Sequence, residues 1–216
     1  MNNTVKRIFT SVALISLIFI SVINSLFLLF FLLVIALLSI FEFNYIYKKI
    51  FNENFLKFIS NLLSIIYLSI FSTIIWVYIS SSILEQIISL IFILLICVFT
   101  DIGGFIFGKL IGGKKLTKIS PNKTFSGMIG SFIFALIFGY LFYYSQKNIL
   151  LFEINVFILI MIVSFISQIG DLFISFLKRK ANIKDTGSVL PGHGGILDRI
   201  DGILLALPIG IILISL

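Results

Sequence analysis

Runs of Ile, Leu, Phe and Val long enough to cross a bilayer recur along this chain, and short polar patches separate them. A crossing helix needs about 20 apolar residues. Run length and polar breaks place helices at about 8–23, 26–47, 56–79, 83–109, 125–144, 150–177 and 200–216. Asn61, Ser64, Ser69, Ser72 and Thr73 dilute the third, and the last is short. The predicted fold is all-α: a polytopic membrane helix bundle of about seven transmembrane helices, with residues 1–216 forming a single integral-membrane domain.

Basic residues test this arrangement, because cytoplasmic loops collect Lys and Arg. With Lys6 and Arg7 marking a cytoplasmic N-terminus, alternate gaps hold Lys48, Lys49 and Lys57, then Lys109, Lys114, Lys115, Lys118 and Lys123, then Lys178, Arg179, Lys180, Lys184 and Arg199. Of the 16 Lys and Arg, all but Lys147 therefore fall on one face. The same pattern puts the C-terminus outside and accounts for the net charge of +7 without a nucleic-acid partner. Only 12% of residues are charged, against roughly 25% in a soluble domain, and the mean hydropathy is +1.21. Lys6 and Arg7 lead into apolar sequence running to Ile40, broken by Asn24 and Ser25, which reads as two helices joined by a tight turn and not as a cleavable signal. The single Cys97 lies in an apolar run and reads as a packing residue.

Four of the nine acids fall near the cytoplasmic ends of their spans: Asp101, Asp171, Asp198 and Asp201. An ionisable group at membrane depth costs about 2.5–3.5 kcal/mol on insertion scales, so such acids have a partner or a task. Asp198 and Asp201 are three apart and share one face if that segment is helical. The plain alternative is that these acids pair with the basic residues of the same face. Their clustering beside Gly-rich turns argues for a task.

The most polar stretch, residues 175–202, carries PGHGG around the only His of the chain, His193. Glycines on both sides let backbone N–H groups approach an anion, and the turn runs straight into the last predicted helix, so Gly192, Gly194 and Gly195 read as a phosphate cradle with His193 as a donor. Lys178, Arg179, Lys180 and Lys184 precede it, and Asp198, Arg199 and Asp201 follow. Carboxylates for Mg2+, cations for phosphates and a Gly turn are the parts that phosphoryl-transfer chemistry needs. A second constellation spans residues 101–127. There Gly104, Gly108 and Gly112 follow the small-residue spacing of closely packed membrane helices, while Lys118, Ser120, Asn122, Lys123, Thr124 and Ser126 form a polar loop suited to a nucleoside triphosphate.

The run from Ser175 to Asp201, with K-D-T-G, L-P-G-H-G-G and D-R-I-D at fixed positions, resembles the signature of phosphatidate cytidylyltransferases, the CDP-diacylglycerol synthases. The preceding SQIGDL, and upstream D-x-G-G-x-x-x-G-K and I-S-P-N-K-T, are similar to the same family. The likeness covers the C-terminal half; the first 95 or so residues share only apolar spans with it. It implies a membrane enzyme that condenses CTP with phosphatidic acid into CDP-diacylglycerol and pyrophosphate, working on the cytoplasmic side of a bacterial-type inner (plasma) membrane. It further implies Mg2+, with a second cation such as K+ beside it, on Asp171 and Asp198 assisted by Asp201. Lys178, Arg179 and His193 would act catalytically, and Asp101, Lys109, Ser120, Pro121, Lys123, Thr124, Lys184, Asp185, Gly192, Gly194, Gly195 and Arg199 would bind substrate. The chain departs from the pattern at Ser126 and Ile174, where many members carry Glu. A homodimer is compatible with a membrane enzyme this small. Two other readings use similar parts: a CTP-dependent lipid kinase of the polyprenol or phytol type, and a cation-coupled transporter, which needs acids near mid-bilayer and two related halves.

Overall fold

A computed structural model describes residues 25–80, 83–117, 120, 123–190 and 194–215. These form six helices: α1 (Ser25–Ile50), α2 (Asn54–Ser80), α3 (Leu84–Leu110), α4 (Phe125–Ser145), α5 (Val156–Lys180) and α6 (Leu197–Ser215). Among the described residues there is no strand, only the isolated bridges Lys115–Thr124 and Leu190–Gly194. The all-α membrane reading holds: α1 to α5 are each long and apolar enough to cross a bilayer, as an integral membrane protein requires. The span predicted at 8–23 lies outside the described residues. The one predicted from residue 150 begins at Val156, because the stretch before it is not helical.

The described residues divide into two compact units. One draws on Met1–Ser82 and Leu177–Ile200, the other on Ile83–Phe176 and Asp201–Leu216. In the first unit α1 packs on α2. The buried residues of α2 are Ser64, Leu68, Phe71, Ile75 and Ile79, a stripe at helical spacing. Two of the polar residues that thin out the third predicted span serve this contact, since Tyr47 and Ser64 share a buried hydrogen bond of 2.8 Å and Asn61 donates to Asn44 at 3.4 Å, while Ser69 and Thr73 are exposed and donate to carbonyls of their own helix. The opposite face exposes Leu62, Leu63, Ile66, Ile70 and Val77, as a lipid-facing surface would.

In the second unit α3 and α4 approach closely enough that glycine is obligatory. A methyl built on Gly103 would lie 2.4 Å from the carbonyl oxygen of Gly130, one on Gly127 would lie 2.8 Å from that of Gly104, and one on Gly130 would overlap Phe107. Lipid tails offer helices no hydrophobic gain for associating, so such backbone contact and buried hydrogen bonds carry the packing. Thr100 accordingly donates to Ser164 at 2.9 Å, both fully buried. Gly104 and Gly108 take the packing role their spacing predicted, whereas Gly112 lies past the end of α3 at φ 64°, where an added methyl would meet nothing within 4 Å. It serves the turn. Gly170 of α5 rests on the backbone of Asp201 and Gly202 of α6 on Ser167, which sets the register of these two helices beside Asp171. Cys97 is buried in this unit, as its apolar run predicted.

Gly103→Ala pushes a methyl against backbone that cannot rotate away, so it should lower stability by about 1–3 kcal/mol, the usual penalty of overpacking. Gly108→Ala, which meets only a hydroxyl at 3.3 Å, should cost clearly less. Melting temperatures in detergent check the order; equal shifts would remove the argument for obligatory contact.

Candidate functional site

In the second unit the chain leaves α3 through Gly112 (φ 64°) and Gly113 (φ 100°), a reversal that side chains rarely tolerate. The returning chain is held by Leu116 N–H donating to Lys123 O at 2.8 Å and Phe125 N–H donating to Lys114 O at 3.1 Å. Thr124 then caps α4 by accepting from Gly127 N–H at 3.1 Å. Ser126 donates to the carbonyl of Gly112, tying the helix start to the glycine turn, and its hydroxyl also meets that of Thr124 at 2.9 Å. A hydroxyl that closes the loop therefore stands where many relatives of the resembled family carry Glu. These constraints deliver the Lys123 ammonium onto the Asp171 carboxylate as an ion pair. Ser175 supports Asp171 from one turn along α5, donating at 3.3 Å.

Beside this pair lies a cavity of about 340 Å³, whose lining includes Asp101, Ser120, Lys123, Thr124, Gln168 and Asp171. The amide nitrogen of Gln168 is buried without a hydrogen-bond partner, an unmet donor in a residue of the cavity wall. Two carboxylates, an ammonium and hydroxyls around one volume suit an anion together with a hard cation. Mg2+ usually takes one or two protein carboxylates and fills its remaining positions with water and phosphate oxygens, so Asp101 and Asp171 form a donor set that fits it. Within neither unit do three His, Cys, Asp or Glu of the described residues gather. Ile174, the other departure, is fully buried.

In the first unit α5 ends at a Schellman motif. Ile183 N–H donates to Lys178 O at 3.0 Å and Asn182 N–H to Arg179 O at 3.1 Å, with Asn182 in the left-handed region at φ 54°. Lys178 is thereby fixed in the last turn, and its ammonium donates to Asp198 Oδ1 at 2.6 Å. Asp198 Oδ2 accepts from Thr186 N–H (2.8 Å) and Gly195 N–H (3.1 Å), and the Thr186 hydroxyl oxygen lies 3.0 Å away. A second carboxylate completes the arrangement. Glu42, buried in α1, accepts from Thr186 Oγ1–H at 2.7 Å, Ile196 N–H at 2.7 Å and Leu197 N–H at 3.0 Å.

The expected phosphate cradle is thus partly filled by the protein itself. The amides of Gly195, Ile196 and Leu197, which open α6, already have carboxylate acceptors. Gly194, at φ 87°, is pressed against Asp198 and Asp185, while Lys184, Asp185, Arg179 and Arg199 are exposed. Pro121, Gly192 and His193 lie outside the described residues. Lys109 is exposed at the end of α3, its ammonium over the Phe105 ring at 5.7 Å. Of the three acids expected at the metal, Asp171 lines the cavity and Asp201 presents its backbone to Gly170 in the same unit; Asp198 belongs to the other unit, with the partners given above. Glu42, Thr186 and Gln168 escaped the reading of the sequence. A single Glu inside the apolar run of 26–47 was the available signal for the first.

The chain matches a family model described as "Cytidylyltransferase family" over residues 3–216. A protein of Rickettsia bellii (strain RML369-C) named phosphatidate cytidylyltransferase is 44% identical over 115 residues, 50% of this chain and 50% of that protein. Proteins of the same name from Staphylococcus haemolyticus (strain JCSC1435) and Staphylococcus aureus (strain COL) are 44% and 45% identical over 114 residues, 51% of this chain and 42% of each. The chain spans about half the length of the relatives it matches.

Burial alone would push the Asp198 carboxyl upward, but hydrogen bonds from Lys178 and from the Thr186 and Gly195 amides outweigh it and hold the group below the usual aspartate value. A depressed value means stability that is present above the unfolded value, near 3.9, and lost as pH falls through the folded one. Lys178→Met should therefore lower the melting temperature at pH 7, and its gap from the unaltered chain should close below about pH 4. A gap that ignores pH would show that the ion pair is not its source.

Proposed function

We propose that this chain, which belongs to the cytidylyltransferase family, transfers a cytidylyl group from CTP to phosphatidic acid at the cytoplasmic edge of the membrane. The observation that carries the reading is the cavity where Asp101, Lys123 and Asp171 converge at the polar ends of apolar helices. The names of the relatives point the same way.

The phosphate of phosphatidic acid is anionic near neutral pH, so it needs no strong general base to attack the α-phosphorus of CTP. A new phosphorus–oxygen bond forms there, the bond to the bridging oxygen breaks, and pyrophosphate leaves with that electron pair. What remains for the protein is alignment and charge neutralisation. Lys123, delivered by the capped start of α4, meets a phosphate oxygen when it releases Asp171. Asp101 and Asp171 would hold Mg2+, which supplies positive charge to the phosphates, and Asp201 would assist from α6. Ser120, Thr124 and the unmet amide of Gln168 offer neutral hydrogen bonds to the nucleotide. In the other unit, Lys178, held by Asp198, and the exposed Arg179 and Lys184 would offer positive charge to phosphate.

Asp171→Asn should abolish lipid-dependent pyrophosphate release by protein that still purifies monodisperse, and Lys123→Ala should raise the Michaelis constant for CTP or lower turnover. CTP labelled at the α-phosphorus should pass its label to extracted lipid. Label entering only from the γ-position would mean a lipid kinase, and full turnover by Asp171→Asn would remove the assigned centre.

A further inference from the structure

Glu42 is a carboxylate in the middle of a membrane-spanning helix, and every donor recorded on it comes from one short segment, residues 186–197. It accepts from the first backbone amides of α6, where unpaired N–H groups and the helix dipole attract an anion, so it caps that helix from a distant part of the chain. The fit is tight. A methyl on Gly187 would lie 2.8 Å from Glu42 Oε1, and one on Gly195 would lie 2.4 Å from Oε2. Gly187 is thus small because Glu42 occupies the space beside it, and Gly195 because Glu42 and the Thr186 hydroxyl do together.

The contact reaches further through Thr186. Its fully buried hydroxyl lies 2.7 Å from Glu42 and 3.0 Å from Asp198, and it has one proton to give. The shorter contact directs that proton to Glu42, while Asp198 is satisfied by the Thr186 and Gly195 amides and by Lys178. The side chain of Asp198 is therefore held by the same backbone that Glu42 holds.

We propose that Glu42 is a positioning residue for the reaction: it anchors Thr186 and the opening of α6, and through them sets the Asp198–Lys178 pair. The kinetic part rests on the cytidylyl-transfer reading, whereas the anchoring part does not. Amide hydrogen exchange of the full chain in detergent measures the second. In Glu42→Gln the amides of Thr186, Gly195, Ile196 and Leu197 should exchange about tenfold faster or more, as loss of a charge-assisted hydrogen bond implies, with α2 unchanged. Lipid-dependent pyrophosphate release measures the first: kcat should fall about tenfold or more while KM for CTP moves by about threefold or less, since alignment is lost and binding is kept. Thr186→Val should follow the same course, and Thr186→Ser, which keeps the hydroxyl, should restore it. If Glu42→Gln does not fold, the two Thr186 variants decide. Unchanged exchange in Glu42→Gln or Thr186→Val overturns the anchor, and faster exchange with unchanged kcat overturns the positioning role. Faster exchange in a chain whose unaltered form releases no pyrophosphate upholds the anchor and overturns the functional reading instead.

Discussion

A carboxylate inside an apolar helix must be given donors, because hydrocarbon supplies none and the insertion cost of such a group is about 2.5–3.5 kcal/mol. In this chain Glu42 is given three, from residues 144 to 155 positions downstream. The arrangement satisfies two needs together, since the opening amides of α6 lack partners within their own helix. The polar segment that follows α5 has little regular structure of its own. The Schellman end of α5, the left-handed Asn182 and the hydrogen bonds to Glu42 and Asp198 hold its described residues.

The second unit solves a related problem by different means. There the helices meet through glycine, and the polar loop between α3 and α4 is braced by Thr124, Ser126 and two left-handed glycines. The outcome is an ammonium fixed on a carboxylate at the wall of a cavity. Lys123 and Asp171 neutralise each other as a pair, which leaves both members ready to exchange partners for a phosphate or a cation.

Much of this was legible in the sequence. Helix existence follows from apolar run length alone, and the six described helices lie where those runs predicted. That Asp171, Asp198, Lys123 and Lys178 stand as charges beside apolar runs was readable, and the structure pairs Lys123 with Asp171 and Lys178 with Asp198. What was not readable is pairing across sequence distance. Gly194, Gly195 and the start of α6 carry every local mark of an anion site, but the anion they meet includes Glu42, which local pattern cannot assign. Gly112 shows the same limit: it keeps the four-residue spacing of Gly104 and Gly108, yet the helix ends before it, so periodicity continued past the element that gave it meaning.

The tie between Glu42 and the motif segment bears on modularity. The recognisable chemistry lies in the C-terminal half, and the helices before it read as membrane anchors that any greasy substitute would serve. The hydrogen bonds say otherwise. Cut away α1 and the amides of Ile196 and Leu197, with the Thr186 hydroxyl, lose their acceptor, so the signature-bearing half is not a self-sufficient cassette that can be transplanted without its N-terminal partner.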